Sequence, residues 1–153
     1  MTRPLVEVVG ETLEPDAFAK RVEVGDAGAV VTFTGLCRSE DGRLRALELE
    51  HYPGMAERKL AEIAEDTSRR FALEAIGVCH RHGVVPVGEP IVVVVAAARH
   101  RREAFDGANY LMDYLKTDAP FWKREHPVDG GEGRWVAAAE KDDAARDRWK
   151  NAD

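Results

Sequence analysis

The stretch Pro90-Ile91-Val92-Val93-Val94-Val95-Ala96-Ala97-Ala98-Arg99-His100-Arg101-Arg102 decides the fold. Ile91–Ala98 is a run of eight apolar residues held between Pro90 and Arg99. That length, its β-branched content and its flanking breakers read as a strand buried on both faces. Directly after it, Arg102–Lys116 follows helical spacing, with Phe105, Ala108, Met112 and Leu115 turned inward. Thr117–Pro120 stops that helix.

Upstream, Ala75–His82 alternates as a strand, with Ile76, Val78, His80 and His82 on one face. Met55–Phe71 carries a helical stripe of Leu60, Ile63, Ala64, Thr67 and Phe71, and Pro53-Gly54 turns the chain into it. Leu44–His51 reads as a strand with one wet face, and Ala29–Thr34 as a β-branched strand. The polar, glycine-bracketed segment Gly35–Gly42 reads as a mobile loop carrying Arg38, which makes the two strands a hairpin-like pair. Further out lie a turn at Gly25–Gly28, a helix over Pro15–Val22 and a short strand over Leu5–Val9. Downstream, Arg134–Ala139 reads as a last strand and Glu140–Trp149 as a polar terminal helix. Strands and helices alternate only loosely, so the expected class is α+β. No linker divides the chain, which predicts a single domain over residues 1–153.

Twenty-eight acidic against 22 basic residues leave a formal charge of −6. That field argues against a general nucleic-acid or acidic-lipid binder. The apolar runs are too short for a membrane span, and Met1–Leu5 has no signal core, so a cytoplasmic protein is expected. Two cysteines, Cys37 and Cys79, are too few for a disulfide scaffold or a cysteine-built metal site. Lysine is scarce, with six against sixteen arginines. Two of the six, Lys116 and Lys123, share a short stretch with Tyr110, Tyr114, Phe121 and Trp122. An acidic protein that concentrates lysines and aromatic rings in one place marks that place as a candidate site.

Two clusters suit anion chemistry. Arg99-His100-Arg101-Arg102 lies where a buried strand gives way to a helix, and a helix start offers unpaired N–H groups and a positive dipole end. A solvated basic turn is the alternative there. Lys116 closes its helix, and Lys123 follows Phe121-Trp122. A lysine against such an apolar wall loses proton affinity and becomes a nucleophile or acid/base, although a lysine at a helix C-terminus is also an ordinary dipole complement. Arg38 could close over an anion from its loop. His80 and His82 would share a face, but no third metal ligand is evident, so no metal is expected. Cys37 beside Arg38 reads as a half-buried strand-end thiol or, alternatively, an activated thiolate. No dinucleotide fingerprint, phosphate-binding loop or nucleophile elbow is present.

The segment Met112-Asp113-Tyr114-Leu115-Lys116-Thr117-Asp118-Ala119-Pro120-Phe121-Trp122-Lys123-Arg124-Glu125 closely resembles the signature of the large, catalytic subunit of molybdopterin synthase. Other pieces agree in order: Gly28–Gly35 followed by Arg38, Leu47–Met55, His80–Gly83, His100-Arg101 with Ala104-Phe105, and Arg134-Trp135-Val136. The resemblance implies an α/β hammerhead-like domain with an additional small antiparallel sheet. It implies a homodimer that binds two copies of a small ubiquitin-like sulfur-carrier subunit, forming a heterotetramer. The partner's thiocarboxylated Gly-Gly tail would thread into the pocket. Two sulfur transfers to cyclic pyranopterin monophosphate would then form the molybdopterin dithiolene, with no cofactor and no bound metal. Lys116 and Lys123 would be catalytic. His100, Arg101 and Arg38 would bind substrate, the first two across the dimer interface. Two alternatives stand beside this reading: a non-catalytic scaffold that docks a ubiquitin-like tail, and another lysine-dependent enzyme of phosphorylated heterocycles.

Overall fold

The structure is a computed structural model describing residues 3–131, 133–136 and 140–151. The chain runs β1 (Leu5–Val9), α1 (Pro15–Arg21), β2 (Ala29–Leu36), β3 (Leu44–His51), α2 (Met55–Phe71), β4 (Ala75–Arg81) and β5 (Gly83–Pro86). It continues through β6 (Pro90–Ala98), α3 (Arg101–Asp118), β7 (Phe121–Pro127), β8 (Arg134–Val136) and α4 (Glu140–Asp147), and a 3₁₀ turn covers Arg148–Asn151. The class is α+β, built on two four-stranded sheets.

The larger sheet has the order β1-β4-β6-β2, in which β1 and β4 are parallel and the other pairs antiparallel. Strand β6 is central and buried on both faces, as its apolar run predicts. Val92, Val94, Ala96 and Ala98 pack under α2 and α3 with Leu60, Ile63, Leu111 and Leu115. The alternate residues Val93, Val95 and Ala97 face α1, against Phe18 and Val22. The pleat's period of two puts successive side chains on opposite faces, so one uninterrupted apolar run serves both layers. Gly77 in β4 lets α1 approach: a Cβ there would stand 2.6 Å from Val22 Cγ2.

The smaller sheet, β5-β3-β7-β8, is wholly antiparallel. Its own core is small, with Cys37, Leu49 and Val85 buried and Leu47, Ile91 and Phe121 packed beside them.

Four expectations need correction. Strands β2 and β3 are not a hairpin; they belong to different sheets. The β2–β6 register shifts at Gly35/Leu36, and Cys37 then exchanges backbone hydrogen bonds with Gly88 and Glu89, carrying the chain from one sheet toward the other. Strand β4 is buried along its whole length, sandwiched like β6 between α1 and the α2/α3 layer. Phe105 is exposed, because Ala104, Ala108, Leu111 and Leu115 form the inward stripe of α3. Strand β7 occupies a segment in which no strand was read. Its composition, Phe-Trp-Lys-Arg-Glu-His-Pro, is polar, and pairing with β3 over Leu44–His51 holds it in place. The expected strand Arg134–Ala139 is seen over Arg134–Val136; residues 137–139 lie outside the described residues.

Candidate active site

The two sheets meet at the C-terminal end of α3, and a narrow cleft of about 90 Å³ opens at the seam. Phe33, Gly35 and Leu36 of β2, Met112 and Lys116 of α3, and Phe121 and Lys123 of β7 stand around it. The floor includes His80 of β4. Lys116 comes to the cleft because α3 carries it one position past the buried Leu115, at the edge of the inward stripe. Lys123 comes because it lies two residues beyond Phe121 in β7, on the same face. Trp122 lies between them and so faces the other way, into a separate hollow with Glu50, Tyr52 and Trp135. The apolar wall therefore includes Phe121 and excludes Trp122.

His80 is the site residue that the sequence reading placed elsewhere. Its ring stacks on Phe121 at 3.9 Å between centroids, and its Nδ1–H donates to the Arg81 carbonyl at 2.9 Å. That bond leaves Nε2 of the neutral ring as an acceptor. Burial, reinforced by the charges of Lys123, Lys116 and His51, pushes its pKa down to about 4, so the ring is neutral at pH 7. Among the described lining residues no carboxylate enters the cleft. The site is thus two lysines, one neutral imidazole and apolar walls, a setting that favours an anionic ligand. The signal for His80 was its place two residues after Val78 on an apolar face, which in a strand turns it into the same layer.

The other expected residues lie outside the cleft. Arg38 is exposed and pairs with Glu40 at 3.1 Å. His100 caps the start of α3 in extended conformation, and with Arg101, Arg102 and Phe105 it lines an open hollow. Arg101 and Lys116 are fifteen residues apart on one helix, which at 1.5 Å per residue is about 22 Å. One chain therefore does not bring the two basic clusters together. His82 meets the His51 ring at 4.3 Å between centroids, tilted by 31°. Among the described residues no group of three or more His, Cys, Asp or Glu is placed to hold a metal ion. Cys37 and Cys79 are buried free thiols, and burial pushes both upward in pKa, Cys79 to about 11, so neither is an activated thiolate.

The fold and the seam define a class: an α+β protein with a lysine-lined cleft between two sheets. The family model described as "MoaE protein" matches residues 8–118. The Mesorhizobium japonicum protein named molybdopterin synthase catalytic subunit is 58% identical over 127 residues, covering 83% of this chain and 80% of that one. The MoaE protein structure from Burkholderia ambifaria superposes with a TM-score of 0.78 at 38% identity, over 95% of this chain and 97% of that one. A chain in the complex of subunits 1 and 2 of molybdopterin-converting factor from Helicobacter pylori shares the fold, with a TM-score of 0.64 at 19% identity, over 89% and 91%. The chain belongs to the family of molybdopterin synthase catalytic subunits.

Proposed function

We propose that the cleft between the two sheets is where sulfur is transferred. In this reading the chain is the sulfurtransferase subunit of molybdopterin synthase, a single domain over residues 1–153 working in the cytoplasm. No helix among the described residues is long and apolar enough to cross a membrane. The small sulfur-carrier subunit delivers a thiocarboxylated C-terminus, and cyclic pyranopterin monophosphate receives two sulfurs to become the dithiolene. The observation that carries this reading is the convergence of Lys116 and Lys123 on one small, apolar-walled cleft that no carboxylate among the described residues lines. A thin Gly-Gly tail suits its small volume, and a terminal thiocarboxylate suits its charge. Lys116 contacts the thiocarboxylate, and Lys123 holds substrate or moves a proton. The Helicobacter pylori complex, named for two subunits of molybdopterin-converting factor, supports a paired small subunit.

The substrate's phosphate needs a second basic group, and His100 with Arg101 is the candidate. Their distance from Lys116 along α3 supports a role for them in the site of a second copy. The surface supports a homodimer, and two carrier subunits would make a heterotetramer. Strand β2 is a sheet edge, and Val30, Phe33 and Leu36 on it are exposed, as is Phe105 near the start of α3. Large exposed apolar side chains along an edge strand with one open side mark an interface. Arg38, three residues beyond Gly35 of the cleft, closes the site from its loop once its pair with Glu40 opens.

The test is reconstitution. The purified chain, a thiocarboxylated small subunit and cyclic pyranopterin monophosphate are mixed, and molybdopterin is read as its fluorescent oxidised derivative. Product from the native chain and none from Lys116→Ala supports the assignment. Partner binding with no product from either points to a docking scaffold. Substrate trapped on Lys116 by borohydride points to Schiff-base chemistry instead.

A further inference from the structure

The C-terminal segment grips the helix that carries Lys116. Asp113 lies one turn before Lys116 on α3, at the i,i+3 spacing at which helix side chains meet. An aspartate there would ordinarily pair with the lysine, and the two residues line one open groove beside β2. Instead, Asp113 Oδ2 accepts from Trp149 Nε1 at 2.7 Å and from Arg148 Nη2 at 3.1 Å. Asp118, two residues after Lys116, accepts from Arg146 Nη1 at 2.8 Å. No ion pair of Lys116 is found among the described residues. The grip is itself anchored. The Trp149 ring meets Phe71 and Tyr110 edge-on at 5.7 and 5.4 Å, and Arg70 Nη2 donates to its carbonyl at 3.0 Å. These anchors come from α2 and α3, and the gripping residues lie beyond residue 118, where the family-model match ends.

We propose that Arg148 and Trp149 are positioning residues that occupy Asp113 and so keep the Lys116 ammonium available to the anion entering the cleft. The charge logic is direct. Asp113 left unoccupied competes for Lys116 with any incoming carboxylate or thiocarboxylate. Paired with Arg148 and hydrogen-bonded by the indole, it does not. Arg146 does the same for Asp118 at the helix end, where backbone carbonyls already make the surroundings negative. The charged and titratable groups that line the cleft and the groove with Lys116 are Lys123 from β7, the neutral His80 from β4, and Asp106 and Asp113 from α3 itself, of which Asp113, the one a single turn away, is occupied by the C-terminal segment.

The inference rests on the role given above to Lys116, and its test separates the two. Lys116 of the full-length chain is acetylated with limiting acetic anhydride at fixed pH, and its rate is read by mass spectrometry. The double variant Arg148→Met/Trp149→Phe keeps an aromatic ring against Phe71 and Tyr110 while removing both donors. It should slow Lys116 labelling about threefold to tenfold, through a newly formed Asp113–Lys116 pair. Adding Asp113→Asn should restore the native rate, and the single variant Arg148→Lys should keep most of it. In the reconstituted assay the double variant should raise KM for the thiocarboxylated subunit more than it lowers kcat, and Asp113→Asn should reverse that. Unchanged labelling in the double variant, or slowed labelling that Asp113→Asn does not restore, overturns the proposal. Because labelling needs no turnover, an active Lys116→Ala enzyme would overturn the role of Lys116 without touching this result.

Discussion

The two sheets of this protein solve different problems. The larger one is a scaffold: β4 and β6 are buried on both faces, and helices cover each side. The smaller one buries few side chains of its own, Leu44, Ala46 and Leu49 of β3 and Val85 of β5, and its strand β7 is written largely in charged and aromatic residues. The larger sheet and the helix packed on it supply His80 and Lys116, and the smaller supplies Phe121 and Lys123. Neither sheet holds the site alone. The contrast teaches that a rigid, well-buried layer can fix one lysine while a thinner, more polar layer brings the second to it.

The largest effect should come from removing the seam's chemistry without touching either sheet. Lys116→Ala should lower product formation by about 10²- to 10⁴-fold, the range for losing one acid/base or charge-stabilising group. Its thermal midpoint should stay near that of the native chain, because the side chain is exposed. A near-native rate would remove Lys116 from the mechanism.

The same substitution in each core then weighs the two sheets. Leu111 and Leu49 are each 1% exposed, one under the larger sheet and one in the smaller. Leu111→Ala should cost about 4–5 kcal/mol and Leu49→Ala about 2–3 kcal/mol, since a small core collapses more readily around a void. Denaturant unfolding measures both. Equal losses would show that the smaller core packs as rigidly as the larger.

His80 ties the sheets through its ring on Phe121, and it makes stability depend on pH. Its folded pKa, about 4, lies below the ordinary 6.5, so between those values the unfolded chain binds more protons. The contribution is fully present above pH 6.5 and is lost as pH falls toward 4, up to roughly 3 kcal/mol for a shift of that size. His80→Phe keeps the stack and removes the titration. Its unfolding free energy should therefore fall less steeply than the native chain's over that window. Parallel profiles would show that other groups carry the acid sensitivity.

The smallest effect belongs to the thiols. The double variant Cys37→Ala/Cys79→Ala should keep its turnover within about twofold, because both thiols are buried and protonated and the sulfur arrives on the partner. A large loss would point to a persulfide route.

The larger sheet was legible in the sequence where the pattern is plainest, in the apolar run of β6 and the stripe of α2. Ile91–Ala98 and the Leu60/Ile63/Ala64/Thr67 stripe stand as read. The smaller sheet was legible only in β3 and in the short β8. Strand β7 has no periodic apolar face, so its strand state comes from pairing with β3, a long-range effect that local pattern does not carry. That is also why Phe121 and Trp122 were read as one wall, when strand alternation sends them to opposite faces. The two lysines were legible by scarcity and by motif. His80 was visible as a residue but not as a member of the site, because its neighbour Phe121 is 41 residues away in a strand that was not foreseen. The grip of Arg148 and Trp149 on Asp113 was not legible either, since it depends on where the terminal turn lands.

The central claim is that each working site joins the lysine cleft of one copy to the His100/Arg101 cluster of another. Complementation tests it directly. Lys116→Ala and Arg101→Ala chains are each assayed alone and then co-expressed with the small subunit, so that mixed dimers form. Both should be inactive alone. Random pairing should restore about a quarter of the native rate, since half the dimers are mixed and each mixed dimer has one intact site. No recovery, with mixed dimers shown to form, would place both clusters in the service of a single chain and contradict the account.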